Sequence, residues 1–189
     1  MRGATGSGKT TVARRLGELL GLPVIELDAL FWQPNWTQTP RDEFRARVGA
    51  ALDACRDGWV CDGNYGSSIG DLLPARADTV VWLHLPWRVS FWRVFTRTVS
   101  HAWSRELLWG NNRESWRLTF LDRDSLLLWS ISHHRANERG LRMAVAPLLG
   151  RLRLHELRSG REVAAFLRTL EPTQVAGVSG GEGQQQPAR

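Results

Sequence analysis

The chain has 189 residues, 42% of them hydrophobic, with ten Trp and six Phe, which is enough to fill one core and too apolar for global disorder. Its most apolar run, VVWLHLPWRVSFWRVF, carries His84, Pro86, Arg88 and Arg93, so no stretch of the ~18 uncharged apolar residues that a spanning helix needs is found. The net charge of +6 favours anionic partners, while Cys55 and Cys61 are too few for a disulfide framework or a four-ligand zinc site, so reduced thiols in a cytoplasmic protein are expected.

In chain order, the first apolar stretch is broken by glycines and Lys9, which does not read as a secretory leader. TTVARRLGELL at 10–20 puts Val12, Leu16, Leu19 and Leu20 on one helical face, with Gly21 placed to cap its end. VIEL then reads as a buried strand ending at Asp28, and FWQPNWTQT as a loop. Thr39-Pro40-Arg41-Asp42 has the form of a helix start, Thr as N-cap and Pro first inside. Phe44, Val48, Leu52 and Cys55 continue that helix at its apolar spacing.

Asp57-Gly58 turns the chain into WVC, a short strand ending at Asp62. TVVWLHL at 79–85 is the clearest strand, closed by Pro86, and a Trp- and Arg-rich helix is expected from Trp87 to Trp103. GNNRE at 110–114 is a polar break, and a further helix is expected over 123–137. RLRLHEL alternates like a strand and REVAAFLRTL is an amphipathic helix. Residues 172–189 lack periodicity and are expected to be a disordered tail after a domain of residues 1–171. Helices alternating with strands predict an α/β fold, a parallel sheet flanked by helices.

Gly3-Ala4-Thr5-Gly6-Ser7-Gly8-Lys9-Thr10 satisfies G-x-x-x-x-G-K-[ST] at every fixed position, and Lys9 is the only lysine in the chain. Glycines let consecutive N–H groups turn towards phosphate oxygens, and the helix that follows adds its positive end. A compact ammonium on a flexible stem reaches between β- and γ-phosphates where a guanidinium fork fits badly, which explains a lysine in an arginine-rich chain. Thr10 would offer its hydroxyl to Mg²⁺, and Thr11 extends the nucleotide-binding set.

Phosphoryl transfer also needs an acid near the metal, cations on the moving group and a held acceptor. Strand ends are where ligands sit in open α/β sheets, which singles out Asp28 and Asp62. Asp62 is the expected Mg²⁺-linked acid; Asp28 is a candidate for metal, acceptor or general-base duty. Arg93 and Arg97 lie four apart, with Arg88 a turn earlier, as a row able to neutralise phosphate charge; Arg113, Arg117 and Arg123 are weaker candidates. Trp32 and Trp36 are candidates to stack on an acceptor ring or to anchor packing, and His133-His134 lack a third ligand at helical spacing.

GATGSGKTTVARRLGELLGLPVIELDALFW, WVCDGNY, TVVWLHLPW and RLHELRSGREVAAFL together resemble the adenylate-kinase-related P-loop proteins called topology-modulation proteins, over residues 1 to about 170. The resemblance implies a nucleoside-monophosphate-kinase-like fold with a five-stranded parallel sheet. It also implies an acceptor-binding segment near 30–56 and a lid-like helical segment near 88–137. DGNY carries Asp62 over as the metal-linked acid, RVFTR carries over Arg93 and Arg97, and Arg158 with Ser159 falls at the adenine-binding loop. Residues 62–66 read DGNYG without the arginine that follows in adenylate kinases, which argues against AMP as acceptor. Only Met1 and Arg2 precede the glycine loop, so the first strand is expected to be truncated and the natural start to lie upstream. The function expected is ATP- and Mg²⁺-dependent phosphoryl transfer to a small molecule, with a nucleotide among the candidate acceptors. The alternative is a nucleotide-switched regulator with a DNA-docking surface.

Overall fold

The computed structural model describes residues 1–104, 107–108, 112–113, 139–140, 142–143, 146 and 150–171, and no side chain of 97–104, 107–108 or 112–113. The expected helix over 123–137, most of the lid-like segment, Arg117, Arg123, His133-His134 and the tail at 172–189 therefore lie outside the described residues, as do the side chains of Arg97 and Arg113.

Five parallel strands form the frame. β1 (Arg2–Gly3), β6 (Thr79–Leu83) and β9 (Arg153–Leu157) make one sheet in the order β1-β6-β9, and β2 (Val24–Glu26) pairs with β5 (Val60–Asp62) in another. The Met1 amino group donates to Cys61 O at 2.6 Å and so links the two. The first strand is thus present as two residues, with Gly3 opposite Leu83 and Leu83 opposite Leu157. That row fixes one carboxyl edge for three strands. Two short antiparallel hairpins, β3 (Trp32–Gln33) with β4 (Thr37–Gln38) and β7 (Leu107–Leu108) with β8 (Asn112–Arg113), stand apart from the sheet.

Helices cover both faces because successive strand residues point to opposite sides. On one face α1 (Lys9–Leu20) and α7 (Gly160–Arg168) join Val60, Val81, Leu83 and Leu157. On the other, α2 (Leu27–Phe31), α3 (Arg41–Asp53), α4 (Gly66–Ile69) and α5 (Leu72–Arg76) enclose Ile25 and Cys61 around Leu27, Phe44, Val48, Ile69 and Leu73. Each large side chain so buried stabilises the fold by roughly 1.5–3 kcal/mol. The remaining long helix, α6 (Trp87–Ser104), follows β6 after Pro86. Among the described residues no helix is long and apolar enough to cross a membrane.

Several local expectations change. α1 ends at Gly21 in the left-handed region, as its position predicts, but it buries Val12, Ala13, Leu16 and Gly17 while Leu20 is exposed. Gly17 meets Val24 closely, and that contact rotates the helix away from the stripe that leucines alone suggest. VIEL ends as a strand at Glu26, and Asp28 stands on helix α2. The loop at 31–39 is a hairpin whose turn carries Asn35 and Trp36 at positive φ. Thr39 does not cap α3. Its hydroxyl donates to Phe31 O at 2.8 Å, closing the hairpin, and Arg41 opens the helix after Pro40. The short helices α4 and α5 occupy a stretch where no element was expected.

Candidate functional site

The glycine loop runs from the end of β1 into α1. Gly6 adopts φ 77 and Gly8 φ 89, the left-handed region open to glycine at little cost. Gly6 is also pressed by α6: a Cβ there would stand 2.3 Å from Ser90 O and 2.5 Å from a Val94 methyl. Ser7 N–H donates to Ala4 O at 3.1 Å, closing the turn, and Lys9 Nζ donates to the same carbonyl at 3.1 Å. Arg93 comes in from α6, its guanidinium 3.2 Å from Ser7 O. Thr5 is half-buried, and Thr11 is exposed on the outer face of α1.

Thr10 and Asp62 meet directly. The Thr10 hydroxyl donates to Asp62 Oδ2 at 2.6 Å, bridging the first turn of α1 and the end of β5. Asp62 is buried, and its other oxygen, Oδ1, has no hydrogen-bond partner among the described residues; nor do the buried hydroxyls of Ser7 and Ser90. A buried carboxylate oxygen without a donor is costly unless something completes it. Two oxygen ligands beside a phosphate loop suit Mg²⁺, which takes few protein ligands and keeps waters. The residues present therefore fit that ion, without any cluster of three or more His, Cys, Asp or Glu among the described residues.

Asp28 stands on α2. It belongs to a second cluster, where the Tyr65 hydroxyl donates to Asp28 Oδ1 at 2.5 Å. Tyr65 is held by aromatic neighbours, its ring centroid 4.6 Å from Phe31 and 5.1 Å from Phe44. Burial, and then the bond to Asp28, push the Tyr65 phenol well above its usual range, against an opposing pull from Trp32. Trp32 and Trp36 meet edge to face at 5.5 Å, and β8 runs beside the turn that bears Trp36.

The loop at 62–65 joins the two clusters: Asp62 reaches Thr10, the Asn64 amide donates to Gly3 O at 2.5 Å, and Tyr65 reaches Asp28. Asn64 and Tyr65 were not singled out individually by sequence reasoning. The signal available was DGNY itself, and the fact that Tyr65 is the only tyrosine.

Arg158 follows β9 at the same carboxyl edge as the glycine loop, exposed, its guanidinium on both oxygens of Glu156 at 3.2 Å. Burial pulls Glu156 upward, but hydrogen bonds from Arg158 and His84 outweigh it and hold the carboxyl below its usual range. Ser159 caps α7, its hydroxyl accepting from Glu162 N–H at 3.2 Å, while the Glu162 carboxylate accepts the N–H of Arg158, the residue before the cap, at 2.9 Å. Of the residues singled out beforehand, Lys9, Thr10, Asp62 and Arg93 gather around the loop. Asp28 is tied in through Tyr65, and Arg158 lies on the same edge.

A parallel sheet flanked by helices, with a glycine loop entering a helix opposite a strand-end aspartate, defines a kinase-like P-loop α/β fold. No family model matches the chain. A shikimate kinase of Halorhodospira halophila is 36% identical to it over 126 residues, which cover 60% of this chain and 68% of that protein. The chain belongs to the P-loop kinase family of which that protein is a member.

Proposed function

We propose that this chain is an ATP- and Mg²⁺-dependent kinase that phosphorylates a hydroxyl of a small molecule. The observation that carries the reading is the Thr10–Asp62 pair beside the glycine loop, with Asp62 Oδ1 left for a ligand. Thr10 and Asp62 would hold Mg²⁺, which when bound supplies positive charge against the phosphates. Gly3 to Thr11 cradle the nucleotide phosphates through backbone N–H groups and the start of α1. Lys9 turns from Ala4 O to the β/γ-phosphates, an easy exchange because a carbonyl is a weaker partner than a phosphate. Arg93, already at the loop, neutralises the transferring group, with Arg97 a turn further along α6. Arg158 borders the base.

Asp28, just ahead of the acceptor segment at 30–56, orients the acceptor hydroxyl and takes its proton. The likeness to a shikimate kinase suggests a hydroxylated carboxylic acid as acceptor; the adenylate-kinase-like character of DGNY and RVFTR suggests a nucleotide. The same motifs support the narrower kinship with topology-modulation proteins, and two free thiols accord with a cytoplasmic setting.

The test is ADP release from Mg·ATP across shikimate, other hydroxy acids and nucleoside monophosphates, with Lys9→Ala as control. Acceptor-dependent release that vanishes in the control and without Mg²⁺ supports the kinase and names its substrate class. Tight ATP binding with no acceptor raising turnover above that with water would sink it in favour of a nucleotide switch, for which salt-sensitive DNA retention is the next measurement.

A further inference from the structure

We infer that Tyr65 is a positioning residue for the acceptor step, holding the Asp28 carboxylate through its hydroxyl and referring that carboxylate to the phosphate loop. The inference rests on the kinase reading above and assigns a residue to its acceptor side. A carboxylate that orients an alcohol and takes its proton must be fixed to within a fraction of an ångström, and α2, a helix of five residues, cannot do that alone. Tyr65 supplies what is missing. Its ring is clamped between Phe31 and Phe44, and its O–H donates to Asp28 Oδ1 at 2.5 Å. The phenol keeps its proton at any working pH, because burial and the bond itself raise its pKa far above neutrality, so it is a constant donor.

The backbone of Tyr65 is anchored on the nucleotide side. Three residues earlier Asp62 accepts from Thr10 at 2.6 Å, and the intervening Asn64 amide donates to Gly3 O at 2.5 Å. Arg2 adds a bond to Gly63 O at 3.4 Å. The distance from Asp28 to the phosphate loop is therefore set by one short loop whose two ends touch both clusters. Tyr65→Phe removes the hydroxyl and leaves the ring contacts.

Two measurements decide it. Because Tyr65 is the only tyrosine, protein labelled with tyrosine carrying ¹³C at Cζ gives a single tyrosine signal. That signal is expected to move in Asp28→Asn; an unmoved signal means that the pair does not exist in solution and overturns the inference while leaving the kinase reading intact. In steady-state assays with Mg·ATP and the acceptors of the panel above, Tyr65→Phe is expected to lower kcat roughly 10-fold, the size of one hydrogen bond to a charged group. KM for Mg·ATP should not change, and Tyr65→Phe should cost nothing more in an Asp28→Asn background. A raised KM for Mg·ATP, or losses that multiply in the double variant, overturns the role through Asp28. If wild-type protein phosphorylates nothing, the kinase reading fails and this role fails with it, even where the ¹³C signal moves.

Discussion

Thr10 Oγ1 stands 2.6 Å from Asp62 Oδ2, joining the first turn of the helix after the glycine loop to the end of the neighbouring strand. The two come from opposite ends of a 52-residue separation, and what brings them together is the parallel pairing of β2 with β5 and the linkage of β5 to β1. Asp62→Asn keeps the size and can keep a bond to Thr10 but removes the charge. It is expected to raise the Mg²⁺ concentration needed for half-maximal turnover on the order of 10- to 100-fold. An Mg²⁺ titration of ADP release measures this. An unchanged midpoint would remove Asp62 from the metal site.

Arg93 differs from Lys9 in where it starts. It leans on Ser7 O at 3.2 Å from a separate helix, so it is not part of the loop's own turn. Its charge matters most when negative charge is moving between donor and acceptor. Arg93→Ala is therefore expected to lower kcat by on the order of 10³, the lower end of the effect of a placed arginine. KM for Mg·ATP should rise far less. The reverse pattern, a large rise in KM with kcat kept, would make Arg93 a ground-state phosphate contact instead.

Gly6 is where loop geometry and packing coincide. Its φ of 77 already disfavours any Cβ, and the added carbon would lie 2.3 Å from the backbone oxygen of Ser90. Because the obstacle is backbone, α6 or the loop must move. Gly6→Ala is expected to destabilise the fold by about 2 kcal/mol, within the range for a strained residue with overpacking, and to weaken nucleotide binding as well. Urea unfolding and equilibrium binding of ATP measure the two effects. Wild-type values in both would mean that α6 does not press on the loop in solution.

The sequence made the loop legible because its glycines, lysine and threonine are fixed by local geometry and a short spacing. Asp62 was legible for a related reason, since WVC is an apolar strand with a turn on either side. Asp28 was placed at a strand end because VIEL continues without punctuation into LDALF. Helix and strand compete in a short apolar run, and tertiary packing of Leu27 into the α3 cluster decides between them. Thr39 carried a cap signal, yet its hydroxyl serves Phe31 eight residues back, a preference set by a hairpin that no local pattern announces. The Tyr65–Asp28 bond spans 37 residues and two elements. Nothing in local periodicity encodes such a contact; only the strand pairing that brings DGNY to LDALF reveals it.

Cys61 gives the fold a pH dependence on the alkaline side. Burial pushes its thiol from an ordinary value of 9.0 up to about 11. In the unfolded chain the thiol ionises near its ordinary value, so between about pH 9 and 11 the unfolded state loses a proton that the folded state keeps. The unfolded state then binds fewer protons, and stability falls as pH rises, by about 1.4 kcal/mol per unit and about 3 kcal/mol in all. Tyr65, also raised by burial, acts in the same direction above its ordinary value of 10.0. Urea midpoints should fall from pH 9 to pH 10.5. Cys61→Ala should have a smaller drop between pH 9 and 10.5, whatever it loses in packing at pH 7. An equal drop in both proteins would assign the alkaline loss to Tyr65 or to general charge repulsion, and would mean that the Cys61 thiol is less shielded than its place on β5 requires.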